Sequence, residues 1–134
     1  MSWEAFLSRR YVKLRTLRIE LKALNTIKLQ ASEDFRHALA KFLVCYGIFN
    51  NNHHFKTEQK INNAVCDVID LDNFIIYEIE SDAGMTKQKK KLEDFYHPYI
   101  EDIIIVDLKK IEGWEAIDRL FNSVCLHYGI SKHR

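Results

Sequence analysis

Residues 57–81 read TEQKINNAVCDVIDLDNFIIYEIES, and the period of two in this stretch decides the fold. Residues 54–61, 64–71 and 74–80 read as three strands, separated by Asn62-Asn63 and Asp72-Asn73. Both dipeptides tolerate positive φ and suit two-residue hairpin turns. Tight turns fix register. A turn at Asn62-Asn63 sets Ile61 opposite Ala64, and therefore Glu58 opposite Asp67. A turn at Asp72-Asn73 sets Leu71 opposite Phe74, and therefore Asp67 opposite Glu78. Directly opposed side chains lie roughly 5 Å apart at Cβ. The expectation is one row of acids, Glu58, Asp67 and Glu78, on one face, with Glu80 two residues beyond on the same face.

Like charges opposed across a sheet are destabilising. Asp67 sits in AVCDVI and Glu78 in FIIYEIE, so both have apolar neighbours. Adjacent buried carboxylates raise each other's pKa. A hard divalent cation, Mg²⁺ or Mn²⁺, removes the conflict because it favours carboxylate oxygens. A turn one residue longer would scatter the acids between the two faces.

Upstream, Ser32 followed by Glu33 and Asp34 reads as an N-cap with acids in the first turn. The helix it opens carries Phe35, Leu39, Phe42, Leu43 and Tyr46 on one stripe, with Gly47 near its end. Residues 3–30 read as helix with at most one break. Leu7, Leu14 and Leu21 recur every seven residues, with Leu17 and Leu24 between them. This seam suits docking on its own domain or pairing with a second copy as a homodimer.

Downstream, residues 86–97 read as a helix stopped by Pro98. Its sheet-facing stripe is Met85, Gln88, Leu92, Phe95 and Tyr99, with Lys91 at the edge. Asp102 to Leu108, DIIIVDL, reads as a strand interior to a sheet. Gly113 leads into a closing amphipathic helix with Trp114, Ile117, Phe121, Val124 and Tyr128 on its apolar side. The fold class is α/β (α+β): a mixed sheet flanked by helices in a single domain of 134 residues. A basic helical arm spans 1–31, a core 32–108 and a terminal helix 109–134.

The net charge of +1 conceals a division. Residues 1–31 carry Arg9, Arg10, Lys13, Arg15, Arg18, Lys22 and Lys28 against only Glu4 and Glu20, so the remainder is net acidic. Asp67, Asp70, Asp72, Glu78, Glu80 and Asp82 fall in a stretch without Lys or Arg. A basic arm beside an acidic pocket suits a metal-dependent enzyme acting on a polyanion. The longest run without a polar side chain, Phe42 to Phe49, is too short to span a bilayer. No apolar leader is evident at the start. Cys45, Cys66 and Cys125 are odd in number and lack CxxC spacing, which excludes a zinc knuckle or disulfide framework and suits the cytoplasm. Glycine-rich phosphate loops and nucleophilic triads are absent.

The stretch 57–81, followed by a Lys/Gln-rich helix and DIIIVDL, resembles the PD-(D/E)XK nuclease superfamily. The nearest likeness is to its compact Holliday-junction-resolvase-like and restriction-endonuclease-like domains. The resemblance covers residues 32–108, whose expected order matches that family's αβββαβ core. It implies that Asp67 is the motif aspartate, with Cys66 where proline often stands. Glu78 is then the second metal ligand, the carbonyl of Ile79 completes coordination, and Glu58 is the additional upstream acid. Glu33 resembles an alternative helix position for that acid. Glu80 departs from the pattern, because it stands where the family usually has lysine. The following helix would then supply Gln88 or Lys91. The implied activity is Mg²⁺- or Mn²⁺-dependent hydrolysis of DNA, with Glu80 taking a proton from water. Arg9, Arg10, Lys13, Arg15, Arg18, Lys87 and Lys89 would hold the phosphate backbone. The alternative is a nucleic-acid-binding or dimerising module without chemistry.

Overall fold

The computed structural model describes residues 2–81 and 84–110, with Gly113, Ile117, Arg119 and Asn122. In chain order the elements are α1 (Trp3–Thr16), α2 (Phe35–Asn50), β1 (Phe55–Ile61), β2 (Ala64–Asp70), β3 (Ile75–Glu80), α3 (Met85–Asp94) and β4 (Asp102–Asp107). A 3₁₀ turn follows at Leu108–Lys110. The strands lie in sequence order in one mixed sheet. β1, β2 and β3 are antiparallel, and α3 carries the chain across to a parallel β4. No helix among the described residues is long and apolar enough to cross a membrane. Apart from Gly113, Ile117, Arg119 and Asn122, the expected closing helix lies outside the described residues, as do Cys125 and Asp82.

The register follows from the two turns. Ile61 pairs with Ala64 and Gln59 with Cys66, while Val68 pairs with Tyr77 and Asp70 with Ile75. Asn62 takes a φ of 55°, as its turn requires, but at the second turn the positive φ falls on Phe74. The β1–β2 ladder skips Glu58 and Asp67, and on the same line the β2–β3 ladder ends, short of Asp67 and Glu78. Glu58 itself has φ 53° inside a strand, a conformation that strains a residue with a Cβ. Face alternation reverses there. Phe55 joins the apolar cluster on one side of the sheet and Ile61 the cluster on the other, although they are an even number of residues apart. Val68 and Cys66 divide in the same way.

One cluster packs Ala40, Val44, Cys45 and Ile48 of α2 on the sheet. The other packs Phe6 and Leu14 of α1, with Leu17, Ile19 and Phe95, on the opposite side. The leucine seam therefore docks on its own domain, with Leu7, Leu21 and Leu24 partly buried beside it. The expected long helix stops at Thr16 because Arg18 adopts φ 58°. The Arg18 N–H donates to the Arg15 carbonyl and the Ile19 N–H to the Leu14 carbonyl. That pattern is a Schellman motif, closed by the Leu14 and Ile19 side chains.

The chain then runs along the outer edge of β1. The Asn25 N–H donates to the Phe55 carbonyl, and the Lys28 N–H to Thr57 Oγ1, at 2.8 and 2.9 Å. These bonds satisfy edge groups that would otherwise be open to strand addition.

Four expectations need correction. The N-cap of α2 is Asp34, whose side chain accepts the His37 N–H, so Glu33 precedes the helix. The buried face of α2 is not the aromatic stripe: Phe35, Phe42 and Tyr46 are exposed, and Lys41 is fully buried. Small and β-branched residues approach the sheet closely, and the reach of Lys41 to its carboxylate partners fixes the helix rotation. β4 is an edge strand among the described residues. Its continuous apolar character reflects cover on both faces, since Ile104 meets one cluster and Ile103 the other. Similarly, α3 does not lay an apolar stripe on the sheet. It has no buried residue, Met85 and Leu92 are exposed, and its anchor is Phe95 at its C-cap.

Candidate functional site

The interruption in the ladder gathers the carboxylates. Where β2 and β3 would next pair, side chains replace the backbone bonds. The Asp67 N–H donates to Glu78 Oε2 at 2.5 Å, and the Ile79 N–H donates to Asp67 Oδ2 at 2.7 Å. Each acid thus accepts a main-chain hydrogen bond across the gap. The expected cross-strand line is present, but the acids do not project from one face. Glu58 and Asp67 meet side chains of α2, whereas Glu78 and Glu80 meet Lys91 of α3. The reversal at Glu58 accounts for this division.

On the α2 side, Glu33 just ahead of the helix and His37 and Lys41 on it follow at intervals of four and converge. Lys41 Nζ donates to Glu58 Oε1 at 2.6 Å, to Glu33 Oε2 at 3.1 Å and to the Lys28 carbonyl at 2.9 Å. Burial alone would depress the Lys41 pKa, but its bonds to Glu33 and Glu58 outweigh that and raise it. Burial likewise pushes Glu33 up, yet bonds from Lys41, the Gln30 N–H and His37 hold it at about 2. His37 Nδ1 bonds to Glu33, and its Nε2 stands 3.6 Å from Asp67 Oδ2. Gln30 Nε2 donates to Glu58 Oε2 at 2.8 Å. A cleft of about 540 Å³ opens beside this group, lined by Gln30, Glu33, His37, Glu58, Asp67 and Ser81.

On the α3 side, Lys91 Nζ lies 2.8 Å from Glu78 and 3.3 Å from Glu80. Burial opposes the Lys91 charge, but Glu78 and Glu80 carry its pKa to about 12. Glu78 is nonetheless unrelieved. Burial first, and the neighbouring Asp67 charge second, push its carboxyl up to about 7 despite the bond from Lys91. Asp67 is raised chiefly by burial, with Glu58 adding to it and the Ile79 N–H and His37 opposing. Among the described residues, no three His, Cys, Asp or Glu side chains stand close enough together to enclose an ion as they are placed. Their chemistry still fits one: hard oxygen donors whose mutual repulsion survives two nearby ammonium groups.

Of the residues expected at the site, Glu58 and Asp67 lie on the α2 side and Glu78, Glu80 and Lys91 on the α3 side, the Ile79 N–H bonds to Asp67 across the gap, and Gln88 is exposed on α3. Arg9, Arg15, Arg18, Lys87 and Lys89 are exposed. Arg10 is engaged instead, 3.3 Å from Asp72 and over the Phe6 ring, and Lys13 lies over Phe74 and Tyr99. His37 and Lys41 were not anticipated. Their signal was the spacing of four that links Glu33, His37 and Lys41. Burial pushes the Cys45 thiol up to about 12 and raises Cys66 as well, which makes both poor nucleophiles. The chain matches no family model, no curated protein and no solved structure.

Proposed function

We propose that the protein is a metal-dependent nuclease of the PD-(D/E)XK type that hydrolyses DNA phosphodiester bonds. One observation carries the reading: Asp67 and Glu78 interlock across a gap between paired strands, with Glu78 raised to about 7. Sheet stability does not favour that arrangement, and a bound cation would. The order helix, three strands, helix, strand after the N-terminal arm supports the same assignment.

Asp67 and Glu78, with the main chain of Ile79, would hold Mg²⁺ or Mn²⁺ at the gap they share, Glu58 would join them only on leaving Lys41, and His37 adds a nitrogen beside Asp67. When bound, such a cation supplies Lewis-acid activation of water and phosphate. Lys91 takes the part of the motif lysine from α3, and its ammonium offsets charge developing on the phosphate. Glu80 beside it accepts the proton of the attacking water. Exposed Arg9, Arg15, Lys87 and Lys89 attract the DNA backbone without reading sequence.

Asp67→Ala should reduce Mn²⁺-dependent DNA cleavage by at least about 10²-fold while leaving DNA binding intact. Undiminished cleavage by that variant overturns the reading. A second reading, a nucleic-acid-binding or dimerising module without chemistry, draws on Lys41 and Lys91, which already lie against the acids. Wild-type protein that binds DNA but cleaves none with either metal would favour it.

A further inference from the structure

Another hollow, of about 550 Å³, is lined by Thr16, the buried Leu17, Arg18, Lys60, Asn62, Asn63 and His97. Its described lining contains two permanent cations and no carboxylate. His97 Nδ1 accepts the Tyr99 N–H at 3.0 Å, so the neutral ring carries its hydrogen on Nε2 as a donor. The walls are tied together. Asn62 Nδ2 donates to the Tyr96 carbonyl at 2.8 Å and the Asp94 carbonyl at 3.4 Å, which binds the β1–β2 turn to the segment after α3. Across that turn, a neighbouring hollow shares Asn62 and Asn63 but carries Glu93, Asp94 and Lys90. The turn therefore separates a donor-rich hollow from one of mixed charge.

Arg18 is the telling residue. It occupies the position after the α1 cap with φ 58°, where glycine is favoured and a side chain is strained. An arginine there complements the negative end of the helix dipole, but glycine would close the same motif with less strain. The helix end does not itself attract an anion, so recognition in this hollow must come from the side chains.

We infer that this hollow is a phosphate site, which takes a backbone phosphate of the DNA strand presented to the carboxylates. The inference rests on the nuclease reading. Lys60 lies two residues along β1 from Glu58, roughly 7 Å along the strand. The hollow, beside Leu17, opens on the side of the sheet where Glu78 and Glu80 meet Lys91, so a single strand can reach from it to those acids. The guanidinium of Arg18 offers paired donors to phosphate oxygens, and Lys60 adds a point charge.

The test uses Arg18→Gly and Lys60→Gln in the full chain. Binding of a fluorescein-labelled DNA oligonucleotide is followed by anisotropy across a salt series without divalent metal. Melting curves with millimolar inorganic phosphate are compared with chloride at equal ionic strength. Arg18→Gly should melt no lower than wild type, because glycine suits the left-handed position. It should nevertheless bind DNA about tenfold more weakly, with a salt slope shallower by about 0.9, and lose stabilisation by phosphate. Lys60→Gln should weaken DNA binding in the same direction. Unchanged DNA affinity and unchanged phosphate stabilisation in Arg18→Gly overturn the site. Unchanged DNA affinity with lost phosphate stabilisation overturns the strand assignment and gives the hollow to a free phosphate ligand. A wild type that cleaves DNA while Arg18→Gly binds as tightly sinks this site alone, whereas a wild type that neither cleaves nor binds DNA sinks the nuclease reading beneath it.

Discussion

The hairpin of β2 and β3 buries one carboxylate at each end, Asp70 at 0% and Glu78 at 1% exposure. Asp70 Oδ1 accepts the N–H groups of Asp72 and Asn73 at 2.8 and 3.2 Å, and its Oδ2 meets His53 at 3.0 Å. Donors surround it. Glu78 also has donors, the Asp67 N–H and Lys91, but it faces a second carboxylate within the same gap. The closed end of the hairpin is built for stability, and the open end retains charge repulsion that a ligand could relieve. Burial alone does not mark a functional acid; an excess of like charge over donors does.

The largest expected contrast is in stability. Asp70→Ala strands two turn N–H groups and His53, and should destabilise the fold by about 4 kcal/mol in urea denaturation. Glu78→Gln at pH 8 should stay within about 1 kcal/mol of wild type. Equal losses would break the comparison.

The pH dependence sharpens it. The folded-state pKa of Glu78 is about 7 against an ordinary 4.5. Between these values the native state keeps a proton that the unfolded chain has released. The stability Glu78 contributes is therefore full below pH 4.5 and is lost as pH rises to 7, by up to about 3 kcal/mol. Glu78→Gln should flatten that slope in denaturation curves taken across the window.

Metal addition gives a smaller effect. Millimolar Mn²⁺ at pH 7.5 should raise the melting temperature by a few degrees, about 1 to 2 kcal/mol. Asp67→Ala should abolish the shift, while a variant at the closed end should retain it. The smallest effect belongs to His53. Burial lowers its pKa, but Asp70 outweighs this and raises it above 6.5. Its stabilising contribution is present below pH 6.5 and lost as pH rises past the raised value. His53→Gln should cost about 1 kcal/mol at pH 6 and nothing at pH 9.

Much of the fold was legible because two short turns are local objects. Asn62-Asn63 and Asp72-Asn73 fixed which residues face which, and the structure pairs the strands accordingly. Less legible was anything set by a long-range partner. The rotation of α2 depends on Lys41, a buried lysine that a hydrophobic pattern cannot place, reaching Glu58 across the chain. The end of α1 was hidden because arginine, rather than glycine, takes the left-handed turn at residue 18. The candidate acids were found from their register, but their division between two helices was not, since nothing in KTEQK announces that Glu58 reverses the strand. Lys91 was visible as the edge of a helical stripe. His37 and Lys41 were visible only as a spacing whose meaning needs the sheet beside it.

The reversal at Glu58 also acts as a second lock on alignment. Because β1 and β2 exchange faces along one common line, sliding either strand by a residue would set the two exchanges out of step and expose apolar side chains on both sides. The acids therefore do not depend on tight turns alone to stay opposed. A lengthened loop in place of Asn62-Asn63 would leave them in line, so insertions at that tip are tolerable where a deletion inside β1 is not.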